Sequence, residues 1–269
     1  MSGCSDDPPA TTPPPDSGNP TTDTGTPGDN DGSTEDAGET IPPGDTRPCG
    51  GSTIAVGTTT DKLTHMGVEY GYIVHVPPSY DGTKRTPLIV NWHGANANGA
   101  AQQIYSQADQ TSDAEGFIVV YPSSPDGVWA GGTCCAQFKD GGNPDRDDVG
   151  FARALVAHIS SVACIDAKKV YSMGMSNGAF MSHRLACEAA DQFAAVVSVA
   201  GKMGATPCMP SRPVPIIHFH GTADMTIPYE DPRFSAEGVS VPEMMANWAK
   251  RDGCTQGPDT TFQMGNATC

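Results

Sequence analysis

Gly174-Met175-Ser176-Asn177-Gly178 fits G-x-S-x-G and falls between an apolar stretch that reads as a strand and one that reads as a helix. A turn that sharp crowds any side chain two residues either side of the serine, so the glycines make room and Ser176 projects above the sheet at a helix N-terminus. A serine so placed is a candidate nucleophile, and a nucleophile needs donors for the oxyanion it creates. One is the backbone N–H of Asn177; the other is expected from Ala95, in the His93-Gly94-Ala95 segment that follows an earlier buried strand. HGA is also what an ordinary turn looks like. Asp224, in His220-Gly221-Thr222-Ala223-Asp224, follows a later strand and is the candidate acid, with Asp231 and Glu230 as weaker alternatives. An aspartate there also suits an Asx-turn. The base is missing: the histidines are His65, His75, His93, His158, His183, His218 and His220, and none follows Asp224. Without a base the serine hydroxyl is a weak nucleophile. His218 and His220 share one side of a strand, but no further ligand spacing completes a metal site, so both are read as structural and no metal or cofactor is expected.

These residues need a scaffold of alternating strands and helices. From Glu69 onward the chain supplies one. Tyr70–Pro77, Pro87–Gly94, Gly116–Pro122, Lys169–Met175, the run FAAVVSVAG from Phe193 and Val214–Gly221 read as strands. Helices are expected over about residues 100–114, from a cap at Asp147 or Asp148 to Val162, over 177–190 and, after Ser240, over 241–252. The pattern predicts an α/β fold, a mainly parallel sheet with helices on both faces. A long Gly-, Cys- and Asp-rich loop, 123–144, separates the strand at 116–122 from the next helix, and loops of that length are usually functional or cross-linked.

The chain has 269 residues and a net charge of −16. Residues 1–48 hold ten prolines and seven glycines, no aromatic residue, and only Met1 and Ile41 as large apolar side chains. Such a segment cannot bury enough surface to offset its ordering entropy, so 1–48 is expected to be a disordered tether and 49–269 the folded domain. The tether carries ten acids and one base; the remainder carries 21 acids and 14 bases. Neither part offers the basic patch that nucleic acid requires. No run approaches the roughly 18 apolar residues of a membrane span. Eight of the nine cysteines fall in the folded part without a zinc-finger spacing, which favours disulfides and an oxidising compartment, with the pairing open. Adjacent Cys134 and Cys135 are expected to find distant partners, because neighbours pair only with strain. Cys4, after Met1-Ser2-Gly3, is either a stray cysteine or a lipid-bearing residue of bacterial lipoprotein type, which would make 1–48 a membrane tether.

The stretches PLIVNWHGA, EGFIVVYP, VWAGGTCCA, DDVGF, KVYSMGMSNGAFMSHRLAC, FAAVVSVAG and HGTADMTIPY together resemble the secreted esterases grouped with poly(3-hydroxybutyrate) depolymerases and feruloyl or acetylxylan esterases. The resemblance implies an α/β-hydrolase fold, Ser176 as nucleophile, Asp224 as acid, and Ala95 with Asn177 in the oxyanion hole. It also gives the loop at Trp129–Cys135 an active-site role. There Trp129 either stacks on an aromatic acyl group or sugar of the substrate, or is a core aromatic beneath the loop. In such enzymes the histidine follows one further strand, so the resemblance implies a sequence truncated before its last strand and base. The expectation is a secreted or lipid-anchored carboxylic ester hydrolase acting on polysaccharide-linked, polyester or small esters. The alternative is a non-catalytic surface protein that keeps the fold and binds polysaccharide or another ligand.

Overall fold

The structure, a computed structural model, describes Cys49, residues 51–135 and 146–257, and the backbone of two short strands, Gln263–Met264 and Ala267–Thr268. The expected tether and Cys4 lie outside these residues.

Seven strands form one sheet: β1 Gly57–His65, β2 Val68–Val76, β3 Thr86–Trp92, β4 Ile118–Ser123, β5 Ile165–Met175, β6 Ala195–Val199 and β7 Ile216–Phe219, in the order β1-β2-β4-β3-β5-β6-β7. The pairings from β4 through β7 are all parallel, and β1 and β2 add an antiparallel edge. Because successive side chains alternate between faces, the sheet needs cover on both sides. On one face Val119 and Tyr121 pack with Ala108 of the helix α2, Ala108–Glu115. On the other, Leu88, Val90, Ile118 and Val120 meet Phe151 and Leu155 of α3, Asp148–Val162, and Met181 and Leu185 of α4, Asn177–Glu188. The α/β expectation therefore holds, with helices on both faces.

Most sequence-expected elements appear within a few residues of their predicted bounds. Asp147 caps α3, its side chain accepting from the Gly150 N–H. Ser240 opens α5, Val241–Arg251, with a reciprocal capping box to Glu243. Two elements differ. The single helix expected over 100–114 is broken into α1, Gly99–Ser106, and α2 by Gln107, whose φ of 50° is left-handed and ends the hydrogen-bond ladder. β1 was not foreseen: its exposed Thr, Asp and Lys side chains carry no apolar signal. It joins β2 through the two-residue turn Met66-Gly67, both with positive φ, as the twist of a tight hairpin requires.

Disulfides join Cys49 to Cys164 and Cys187 to Cys208, and Cys254 is also disulfide-bonded. The third described bridge corrects an expectation: Cys134 pairs with its neighbour Cys135. The bridge closes where the Cys135 backbone is left-handed, with φ of 79°.

Candidate active site

β5 delivers the chain to Ser176, whose φ of 52° and ψ of −120° put a non-glycine residue in a sparsely populated region between strand and helix. Such strain persists only where the surroundings over-determine it. Here they do: the Ser176 N–H donates to Val199 O of β6 at 2.8 Å, and Ser176 O accepts from the Ala179 and Phe180 N–H groups of α4. The motif glycines have a matching reason. A Cβ on Gly174 would stand 2.2 Å from Gly178 O, and one on Gly178 would stand 2.2 Å from Trp92 O of β3. The helix can start this close to β3 and β5 only without those atoms.

Asn177, fully buried, is the first residue of α4, so its N–H has no acceptor within the helix and forms part of the positive end of the helix dipole. The segment after β3 is packed against the serine, with Ser176 Cβ 3.4 Å from where a Gly94 Cβ would be. That segment is held by His93, which sequence reasoning left without a role. Its Nδ1–H donates to Gly94 O at 2.7 Å and its Nε2 accepts from the Ser124 N–H at 3.0 Å, two bonds that the same neutral tautomer satisfies. Burial pushes its pKa down to about 4, so it stays neutral at pH 7. Asn96, next along, donates its N–H to Gly127 O. Ala95 between them packs against an apolar cluster containing Val128, Cys134, Cys135, Phe180 and Ile227. The fold thus brings Ser176, Asn177 and the Gly94-Ala95 turn together.

Asp224 sits on the loop after β7, two strands from β5 in the sheet. Its Oδ1 accepts from the Thr226 and Ile227 N–H groups at 2.8 and 2.9 Å, an Asx-type turn, while Oδ2 lies 3.6 Å from His220 Nε2. Of the weaker alternatives, Asp231 is occupied by Arg233 through both carboxylate oxygens, and Glu230 is exposed. His218 and His220 bond to each other at 3.1 Å, with Ser198 Oγ at one end of the chain and Ile227 O at the other. Burial pushes His218 down to about 4 and His183, fully enclosed beside His218 and Trp248, well below its ordinary value.

Trp129 requires a correction. It is 1% exposed, edge-on to Trp92 and stacked on Phe151, so its ring is a core aromatic beneath the loop and has no face open to substrate. Its backbone matters more than its ring, because both its N–H and C=O bond the Asn177 side chain. A second contribution unforeseen from sequence is Arg146, which bonds Asp148 through Nε and Nη2, Asp126 through Nη1, and Ser124 Oγ and Val128 O through Nη2. Asp148, fully buried, also accepts from Tyr70 OH and the Ala130 N–H. The DDVGF stretch marked the place; the distant partners did not show.

A parallel sheet with a strained serine between its β5 strand and the following helix, and with a glycine turn from β3 against it, defines the α/β-hydrolase fold. Residues 70–206 match the family model described as esterase PHB depolymerase, and the chain belongs to that family. Among similar proteins, feruloyl esterase B of Piromyces equi is 32% identical over 201 residues, covering 69% of this chain and 36% of that one. A bifunctional acetylxylan esterase/xylanase of Neocallimastix patriciarum is 29% identical over 209 residues, covering 78% of this chain and 28% of that one. The chain thus spans about a third of the length of these two relatives. In structure it is similar to a thermostable esterase, with a TM-score of 0.57 at 19% identity, covering 72% of this chain and 52% of that one.

Proposed function

We propose that this protein is a serine-dependent carboxylic ester hydrolase. The observation that carries the reading is Ser176 itself, a non-glycine residue held at φ 52° at the start of a helix, with a backbone donor on the next residue and a second loop against it. In this reading Ser176 Oγ attacks the ester carbonyl, and the tetrahedral oxyanion is held by the N–H groups of Asn177 and Ala95. A general base takes the Ser176 proton and gives it to the leaving alcohol or sugar oxygen, then takes a proton from the water that releases the acid from the acyl-enzyme and returns it to Ser176. Asp224 is the acid that orients the base, using the carboxylate oxygen left outside its turn. No described histidine is given the role of base: His93, His218 and His220 have both ring nitrogens engaged elsewhere, and His183 is enclosed among ring neighbours.

The substrate class proposed is an ester of a polysaccharide-linked feruloyl or acetyl group, or a polyhydroxyalkanoate, which the names of the similar proteins and of the family support. Three described disulfides support a secreted or outer-surface location. No helix among the described residues is long and apolar enough to cross a membrane. In this reading Cys4 is either a stray cysteine or the bearer of a lipid that would attach the protein to a membrane. The test is hydrolysis of p-nitrophenyl acetate by the natural full-length protein and its Ser176→Ala variant. Turnover is expected in the first and lost in the second; undiminished turnover in the variant rules the mechanism out.

A further inference from the structure

The Asn177 carboxamide is fully buried, and both its polar atoms are committed to one residue of another segment. Oδ1 accepts from the Trp129 N–H at 2.6 Å and Nδ2 donates to Trp129 O at 3.0 Å, with Cys134 Sγ 3.8 Å from the same Nδ2. Two antiparallel bonds between an amide side chain and a main-chain residue form a rigid clamp, because one bond alone would leave rotation about its own axis. The clamped segment is itself tied on either side of Trp129. Val128 O accepts from Arg146, the Ala130 N–H donates to Asp148 at 2.7 Å, and Ala130 O accepts from Arg184 Nη1 at 2.6 Å. Asp148 begins α3 and Arg184 lies two turns along α4, so the 128–130 segment is locked to both helices.

We infer that the Asn177 side chain is a positioning residue for the oxyanion hole: by gripping Trp129 at two points it fixes the direction in which the Asn177 backbone N–H points. The inference rests on the esterase reading above, in which that N–H meets the oxyanion. The residue stands directly after Ser176, whose backbone is held at positive φ, where a loosely held peptide would relax away from the geometry the reaction needs. A donor stabilises a developing charge only when it is already aimed at it, and misplacement by about an ångström is enough to cost a large part of the rate. The side chain acts on the donor through the backbone they share, and the N–H itself survives any substitution except proline.

The test uses the natural full-length protein with Asn177→Ala and the near-isosteric Asn177→Asp, each with Ser176→Ala assayed in parallel on p-nitrophenyl acetate. Asn177→Ala is expected to lower kcat by about 10- to 100-fold with KM changed by less than about threefold, and to weaken an arylboronic acid, which forms a tetrahedral adduct on serine, by the same factor as kcat. In Asn177→Asp the ionised carboxyl still accepts from the Trp129 N–H but cannot donate to Trp129 O; once protonated it can do both. Its kcat relative to wild type is therefore expected to rise as pH falls through the titration of the introduced carboxyl, a signature that a merely structural role would not give. If the alanine variant does not fold, the aspartate ratio decides alone. Unchanged kcat in a folded Asn177→Ala, or an aspartate ratio flat with pH, overturns the positioning role and leaves the esterase reading standing. Turnover retained by Ser176→Ala overturns both.

Discussion

The carbonyl oxygen of Trp92, at the end of β3, occupies the space that a side chain on Gly178 would need, 2.2 Å from where its Cβ would stand. The last glycine of the serine motif is therefore a packing requirement between α4 and β3 before it is anything chemical. Gly178→Ala must push backbone against backbone, so a loss of about 3 kcal/mol or more is expected in urea unfolding. Gly221→Ala, where a Cβ would meet nothing within 4 Å, is the control, expected within about 0.5 kcal/mol of wild type. Equal midpoints for the two variants would contradict the packing account.

Arg146 connects α3 to the loop that grips Asn177. Its removal leaves Asp148, fully buried, with the Tyr70 hydroxyl and the Ala130 N–H but no counter-charge. Arg146→Met is expected to destabilise the fold by about 3–5 kcal/mol, measured as a shift in the urea midpoint at pH 7. A shift below about 1 kcal/mol, the size of a surface pair, would show that the ion pair contributes little.

The buried histidines set a pH window. Burial holds His93 and His218 at about 4 in the fold, whereas an unfolded chain takes up these protons near 6.5. Between those values the unfolded state binds the extra protons, so stability is fully present above pH 6.5 and is lost as pH falls toward 4. The expected loss is about 3 kcal/mol for each of the two, with His183 shifted in the same direction. Unfolding midpoints at pH 7, 5.5 and 4.5 should fall steeply, and His218→Gln should flatten the slope by about one proton. A midpoint constant from pH 7 to 4.5 would contradict the assignment of neutral buried rings.

What was legible in the sequence followed burial and local backbone demand. β3 and β4 are continuous apolar runs buried on both faces, and the Ser176 elbow declares itself through glycines that its close contacts require. β1 was hidden because an edge strand with exposed Thr and Lys side chains needs no apolar pattern, and its turn uses Met66 where Asn or Asp would have been a signal. The Cys134–Cys135 bridge depends on one left-handed residue, a property of the loop's path and not of residue type. For Trp129 the family resemblance left two places open, on the substrate or in the core beneath its loop, and the contacts with Trp92 and Phe151 that put it in the core come from distant segments. Arg146 and Asn177 draw their roles from bonds to loop segments 18 and 48 residues away, and such pairings leave no trace in local spacing.

In the proposed hydrolysis Ser176 is the residue that reacts, and covalent labelling tests this most directly. The natural full-length protein, incubated with a p-nitrophenyl alkylphosphonate and digested, is expected to carry one phosphonyl adduct, on the peptide containing Ser176, with ester turnover falling in proportion to its formation. Full loss of turnover with the adduct on another residue, or turnover that persists after Ser176 is fully modified, would contradict it.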